Sequence, residues 1–128
     1  MTKTEGKETA LTVFHNGTPI FTSDGIWLHP LFELEEYLTE HAFQPDKLIL
    51  QDKIIGKAAA FLIHRLGFRT VKAGLLSRRG EAVLQRHGMA YTYEQLVERI
   101  HCQTEELLAT VEDPEEAYQL VKMRAGRS

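Results

Sequence analysis

The sequence predicts a three-layer α/β/α domain, an N-terminal β-hairpin feeding a mixed sheet of about five strands with helices on both faces. Three observations carry that expectation. Two apolar runs in LTVFHNGTPIFT, residues 11–22, flank Asn16-Gly17, a dipeptide that supplies the positive φ angles of a tight hairpin turn. A succession of helix, glycine, apolar residue and strand occurs twice, at Gly67-Phe68 and Gly88-Met89. Such strand–helix–strand units imply parallel pairing with right-handed crossovers. Between hairpin and crossovers stands KLIL, residues 47–50, a short and uniformly apolar run that fits a central strand buried on both faces.

The elements follow in order. After the hairpin, SDGIWLH is a connecting loop and Pro30 suits the first turn of a helix, where its missing N–H is no loss. Leu31, Leu34, Tyr37 and Leu38 give that helix one apolar stripe. Gln44-Pro45-Asp46 is a turn before KLIL. A second helix is expected almost at once, opening at Asp52-Lys53 and carrying Ala58, Ala59, Ala60, Phe61, Leu62 and Ile63. Gly67 stops it in a left-handed conformation, with Phe68 as the apolar contact beyond. Val71–Leu76 is the next strand, interrupted by Lys72, and Ser77 caps a third helix. After a short strand near residues 89–91, Thr92-Tyr93-Glu94-Gln95 has capping-box spacing for a helix through Ile100. Thr104, Leu107, Leu108 and Val111 continue the apolar pattern, and Asp113-Pro114-Glu115-Glu116 opens a last helix running to about Arg124.

Composition sets the limits. The chain has 128 residues, 43% hydrophobic and 26% charged, enough for one core. Residues 1–10 form a polar arm expected to be disordered, residues 11–125 the domain and residues 126–128 a tail. The arm lacks the apolar centre of a signal peptide, and no run is long enough to span a bilayer. With a single cysteine an internal disulfide framework is excluded, and the expected compartment is the cytoplasm. A formal charge of −3 speaks against nucleic acid as a partner.

The chemistry-bearing stretch is QDKIIGKAAAFLIHRLGF, residues 51–68. Lys53 and Lys57 fall at the start of the expected helix, the end where the dipole disfavours cations, and Asp52 can cap it. On the functional reading, backbone N–H groups, Lys53 and Lys57 hold an anion such as a phosphate or carboxylate, with Gly56 allowing close approach. On the structural reading, Asp52 is a cap and the lysines are solvated stems over apolar surface. A P-loop is excluded, because Ala58 and not Ser or Thr follows Gly56-Lys57. Ser23-Asp24-Gly25 could face the same mouth, or form only a turn.

Cys102, followed by Glu105 at a possible helix start, is a candidate nucleophile, against the alternative of a buried inert thiol. The histidines (His15, His29, His41, His64, His87 and His101) are scattered and form no H-x-x-x-H pair, so no metal or other cofactor is expected. Lys53 and Cys102 are the catalytic candidates. Ser23, Asp24, Asp52, Lys53, Gly56, Lys57 and Glu105 are the ligand-binding candidates.

The hairpin with SDG and HPLFELEEYL, then QDKIIGKAAAFL, the L-x-x-H-G-M segment and C-x-x-E ahead of EDPEEAY resemble an uncharacterised prokaryotic family over residues 11–122. That family, a domain of unknown function, is described as having a cytidine deaminase-like fold. In zinc deaminases the helix after the third strand starts with P-C-x-x-C and the preceding helix with H-x-E. The resemblance lays Asp52–Gly56 on P-C-x-x-C, with Lys53 and Gly56 in place of the cysteines, and no H-x-E occurs around Ser23 to His29. It implies a deaminase-shaped scaffold without zinc, its cleft suited to a small anionic or nucleotide-like metabolite. The alternatives are a metal-independent enzyme using Cys102 or Lys53, and a homodimeric interaction scaffold.

Overall fold

The computed structural model describes residues 10–25, 27–100 and 107–126. Strands β1 (Leu11–His15) and β2 (Thr18–Ser23) form the hairpin, with Asn16 at φ 53° and Gly17 at φ 82° in its turn. Helix α1 (His29–Glu40) leads through a 3-10 turn at Pro45–Lys47 into β3 (Ile49–Ile55). Then come α2 (Lys57–Leu66), β4 (Thr70–Ser77), α3 (Arg78–Arg86), β5 (Ala90–Val97) and α4 (Pro114–Arg124). The order across the five-stranded sheet is β2-β1-β3-β4-β5. β1 is antiparallel to both its neighbours, and β3, β4 and β5 run parallel. The sheet is therefore mixed, and the chain is of the α/β class.

Helix placement follows from connection handedness. Stepping from β3 to β4 to β5 through right-handed crossovers puts α2 and α3 on one face. Tyr91 of β5 donates its hydroxyl to Glu81 of α3 on that side. α1 joins them there, its Tyr37 ring 5.2 Å from Phe21 of β2. α4 lies outermost over α1 and α2, with its Tyr118 ring against Phe32 and its hydroxyl bonded to Glu35. Residues 57–63 of α2 are consequently buried all round. The opposite sheet face carries the in-register row Gln51, Lys72 and Thr92, all exposed. Helices on both faces were expected; among the described residues they gather on one.

Two elements depart from expectation for a common reason. β3 does not end at Leu50. Residues 51–55 stay extended because β1 and β4 flank them and take their backbone hydrogen bonds, Leu11 opposite Asp52 and Ile55 opposite Leu76. α2 accordingly starts at Lys57 with Gly56 as its cap residue, so Asp52 caps no helix. Likewise Thr92–Gln95 lies within β5, paired with β4 from Thr70↔Ala90 to Ser77↔Val97. A capping-box spacing worth about 1 kcal/mol yields to a full parallel ladder and to strand-favouring Tyr, Thr, Leu and Val. The local signals that prevailed include Gly67 (φ 103°), which closes α2, Ser77, whose side chain accepts from Gly80 N, and Asp113, whose carboxylate accepts from Glu116 N at 2.9 Å.

Candidate functional site

The lysine at the wrong end of a helix is Lys57, and its counter-charge is internal. Lys57 opens α2 with its side chain only 6% exposed. Its ammonium donates to the Ala109 carbonyl and to Glu112 Oε2, each at 3.3 Å. Glu112 also accepts from Arg86, and the bond from Lys57 foremost holds its carboxyl below the ordinary range. Lys57 thus ties the segment before α4 to the buried face of α2. The dipole penalty of about 0.3–1 kcal/mol is offset by these contacts. The ammonium expected to help hold an anion is thus engaged inside the chain, and Lys57 does not line the cleft described next.

Lys53 is on β3 and exposed, within a cleft of about 440 Å³ that crosses the three parallel strands. Gln51, Asp52 and Lys53 of β3, Lys72, Ala73 and Gly74 of β4, Thr92, Tyr93 and Glu94 of β5, and Ala10 ahead of β1 line it. The sheet is irregular at this row. Buried positions recur every second residue through Leu50 and Val71–Ala73, but the next are Ile55 and Leu76, three residues beyond Asp52 and Ala73. The ladder correspondingly omits Lys53 opposite Gly74 and Gly74 opposite Glu94. A Cβ on Gly74 would stand 2.7 Å from the Lys53 carbonyl oxygen, so only glycine lets β4 approach there. On the other side Lys53 N donates to the Ala10 carbonyl at 3.0 Å. The backbone around Lys53 is held from both flanks while its ammonium stays available. Among the described residues, neither Lys53 nor Lys72 has a side-chain partner.

Asp52 is the unusual group. Burial pushes its carboxyl from 3.8 up to about 7, against the opposing effect of the backbone N–H groups of Ile54 and Lys53. The Ile54 N–H donates to Oδ1 at 3.4 Å, a long bond that supports the carboxylate weakly. Among the described residues no cation pairs with it. A carboxyl that changes charge near pH 7 inside a cleft can accept or give a proton under physiological conditions.

The remaining candidates lie elsewhere. Ser23 is buried, donating to Glu33 Oε1 at 2.6 Å and accepting from Gly25 N at 3.1 Å. It stands in the row Ser23–Leu11–Asp52, two strands from Asp52, roughly 10 Å at ordinary strand spacing. Its neighbour Asp24 is exposed, and neither residue lines the cleft. Gly56 is packed by α3, where a Cβ on Gly80 would meet its carbonyl at 3.0 Å. Cys102 and Glu105 lie outside the described residues. Among the described residues no three His, Cys, Asp or Glu side chains come together as a metal site, and no helix is long and apolar enough to cross a membrane. Sequence reasoning singled out Asp52 and Lys53 but missed Lys72, Gly74, Thr92, Tyr93 and Glu94. The available signal was Gly74, a glycine inside a strand pattern, which marks close backbone approach.

Residues 2–124 match the family profile TM1506, a domain of unknown function (DUF1893). A solved crystal structure of a DUF1893 family protein, TM1506 from Thermotoga maritima, superposes with a TM-score of 0.80 at 23% identity, covering 93% of this chain and 82% of that one. At this identity the likeness shows the fold. No curated protein matches the chain.

Proposed function

The chain belongs to the DUF1893 family, and on that footing we propose that it binds a small anionic, nucleotide-like metabolite in the cleft across β3, β4 and β5. One observation carries the reading: Lys53 and Lys72, which among the described residues have no side-chain partner, line one cleft. A volume of about 440 Å³ falls in the range of small-molecule sites. The exposed Tyr93 ring offers a face on which a planar group can stack. We take the scaffold to be deaminase-like without zinc. The first turn of α2, Lys57-Ala58-Ala59-Ala60, and that of α1, His29-Pro30-Leu31-Phe32, offer neither P-C-x-x-C nor H-x-E. The single cysteine fits a reducing, cytoplasmic setting.

The test is thermal unfolding of wild type, Lys53→Ala and Lys72→Ala against AMP, inorganic phosphate and citrate. A ligand at a hundredfold excess over its dissociation constant adds ~2.7 kcal/mol, so wild type should gain several degrees that each variant loses. If no anion stabilises wild type beyond both variants, the reading fails.

A second reading, a metal-independent acid–base enzyme, is favoured by Asp52 alone, whose carboxyl at about 7 suits a group that exchanges protons at neutral pH. In this reading Asp52 moves the proton and Lys53 steadies developing negative charge.

A further inference from the structure

The two edges of the sheet are not equally defended. β2 closes one side with six residues, carries Pro19, and meets β1 through a register shift between Val13 and Phe14. Proline, brevity and irregular pairing are devices that stop an edge from recruiting another strand. β5 closes the other side with eight residues and holds neither proline nor lysine. It keeps one register along β4, from Thr70↔Ala90 to Ser77↔Val97, and is rich in strand-favouring Tyr, Thr and Val. Among the described residues no strand flanks its outer side. Ala90–Val97 hydrogen-bond only to β4 with its flanking Arg69, and to α3 through Tyr91. A row of backbone N–H and C=O groups is left facing outward, and another strand is what satisfies such a row.

We propose that β5 pairs antiparallel with β5 of a second copy of this chain, the two-fold axis at Thr92, joining two sheets into one. The sequence of the strand, AYTYEQLV, selects both this occupant and this register. With the axis at Thr92, that residue stands opposite its own copy and Tyr91 stands opposite Tyr93 of the partner subunit. Thr–Thr and aromatic pairs are favoured cross-strand neighbours. Tyr93, 44% exposed and in ring contact with Tyr91 of its own strand, gains a second ring across the seam. Glu94, the one charge on the strand, falls opposite Ala90 of the partner subunit and well away from its own copy. An axis at Glu94 would instead set two carboxylates face to face, which is destabilising. One strand thus supplies both sides of the contact, as a closed two-fold interface requires. Thr92, Tyr93 and Glu94 also line the cleft, so the partner's strand runs alongside it, but the pairing does not rest on ligand binding.

Sedimentation velocity of the full chain, from low to high micromolar concentration, tests this with Thr92→Lys as the comparison. Wild type should pass from the mass of one chain to that of two. Thr92→Lys, a change at an exposed position that sets two ammoniums face to face at the axis, should stay at the mass of one. A disulfide trap reads the register without depending on that variant. Directly opposite positions have Cβ atoms roughly 5 Å apart, near disulfide reach. In a Cys102→Ser background, which removes the single native thiol, Thr92→Cys should therefore oxidise to a linked dimer and Gln95→Cys should not. Wild type that stays at the mass of one chain throughout, leaving the edge to a strand of another protein, would overturn the proposal. So would a dimer that persists in Thr92→Lys, or one trapped through Gln95→Cys and not through Thr92→Cys.

Discussion

Replacing Asp52 by Asn should stabilise the folded protein at alkaline pH and have progressively less effect as pH falls. Asp52 has a folded-state value of about 7 against 3.8 for the unreacted group. The folded protein therefore binds its proton more tightly than the unfolded chain does, and stability declines as pH rises between those two values. A full displacement of this size corresponds to roughly 4 kcal/mol above pH 7. Because Asp52 keeps partial solvent contact, screening reduces this to about 1–3 kcal/mol. Asparagine keeps an oxygen to accept the Ile54 N–H but carries no charge to desolvate. Urea unfolding of both proteins at pH 5 and pH 8 measures the effect. The advantage of Asp52→Asn should grow by about 1–2 kcal/mol from pH 5 to pH 8, or roughly 4–8 °C in melting temperature. An advantage independent of pH, or a variant less stable than wild type at pH 8, would refute the reasoning that burial governs this carboxyl.

Other consequences follow from neighbouring contacts. Lys57→Ala removes the donor to Ala109 and Glu112 and should cost about 1–3 kcal/mol, discounted because Glu112 is half exposed. Lys57→Met, which keeps the buried stem, should cost less in the same denaturant titration. Gly74→Ala places a Cβ 2.7 Å from the Lys53 carbonyl, and calorimetry should show a loss of about 1–3 kcal/mol from the forced strand shift. His64 and His87 stack at 3.9 Å, and burial, followed by the charges of His87 and Arg69, lowers the value of His64. Here the unfolded chain binds protons more readily, so stability from this group is lost as pH falls through 6.5. His64→Phe should therefore show a shallower loss than wild type when melting temperature is followed from pH 7.5 to pH 5.

Much of the fold is legible where a few adjacent residues settle the backbone. Asn16-Gly17 defines the hairpin, Gly67 ends α2, and Asp113-Pro114 starts α4, each through chemistry confined to one turn. Legibility fails where partners distant in sequence decide. Residues 51–55 carry polar and charged groups that resemble a helix start, yet β1 and β4 flank them and keep them extended. Thr92–Gln95 resembles a cap and becomes strand because β4 pairs with it. The same limit governs the candidate site. Asp52 and Lys53 stand out by charge in one stretch of sequence, but Lys72 and Glu94 join them only through register across three strands. Lys57 looked like a ligand for an external anion because its partner, Glu112, is 55 positions away.

The central claim, that the cleft over the irregular row of β3, β4 and β5 is where a small anionic, nucleotide-like ligand binds, is tested most directly by amide NMR of the labelled protein titrated with AMP at pH 7. Saturable shift changes should concentrate on residues 51–53, 72–74 and 92–94 and disappear in the Lys53→Ala, Lys72→Ala double variant. Saturable changes centred on the start of α2 at Gly56–Ala58, or persisting in the double variant, would contradict it.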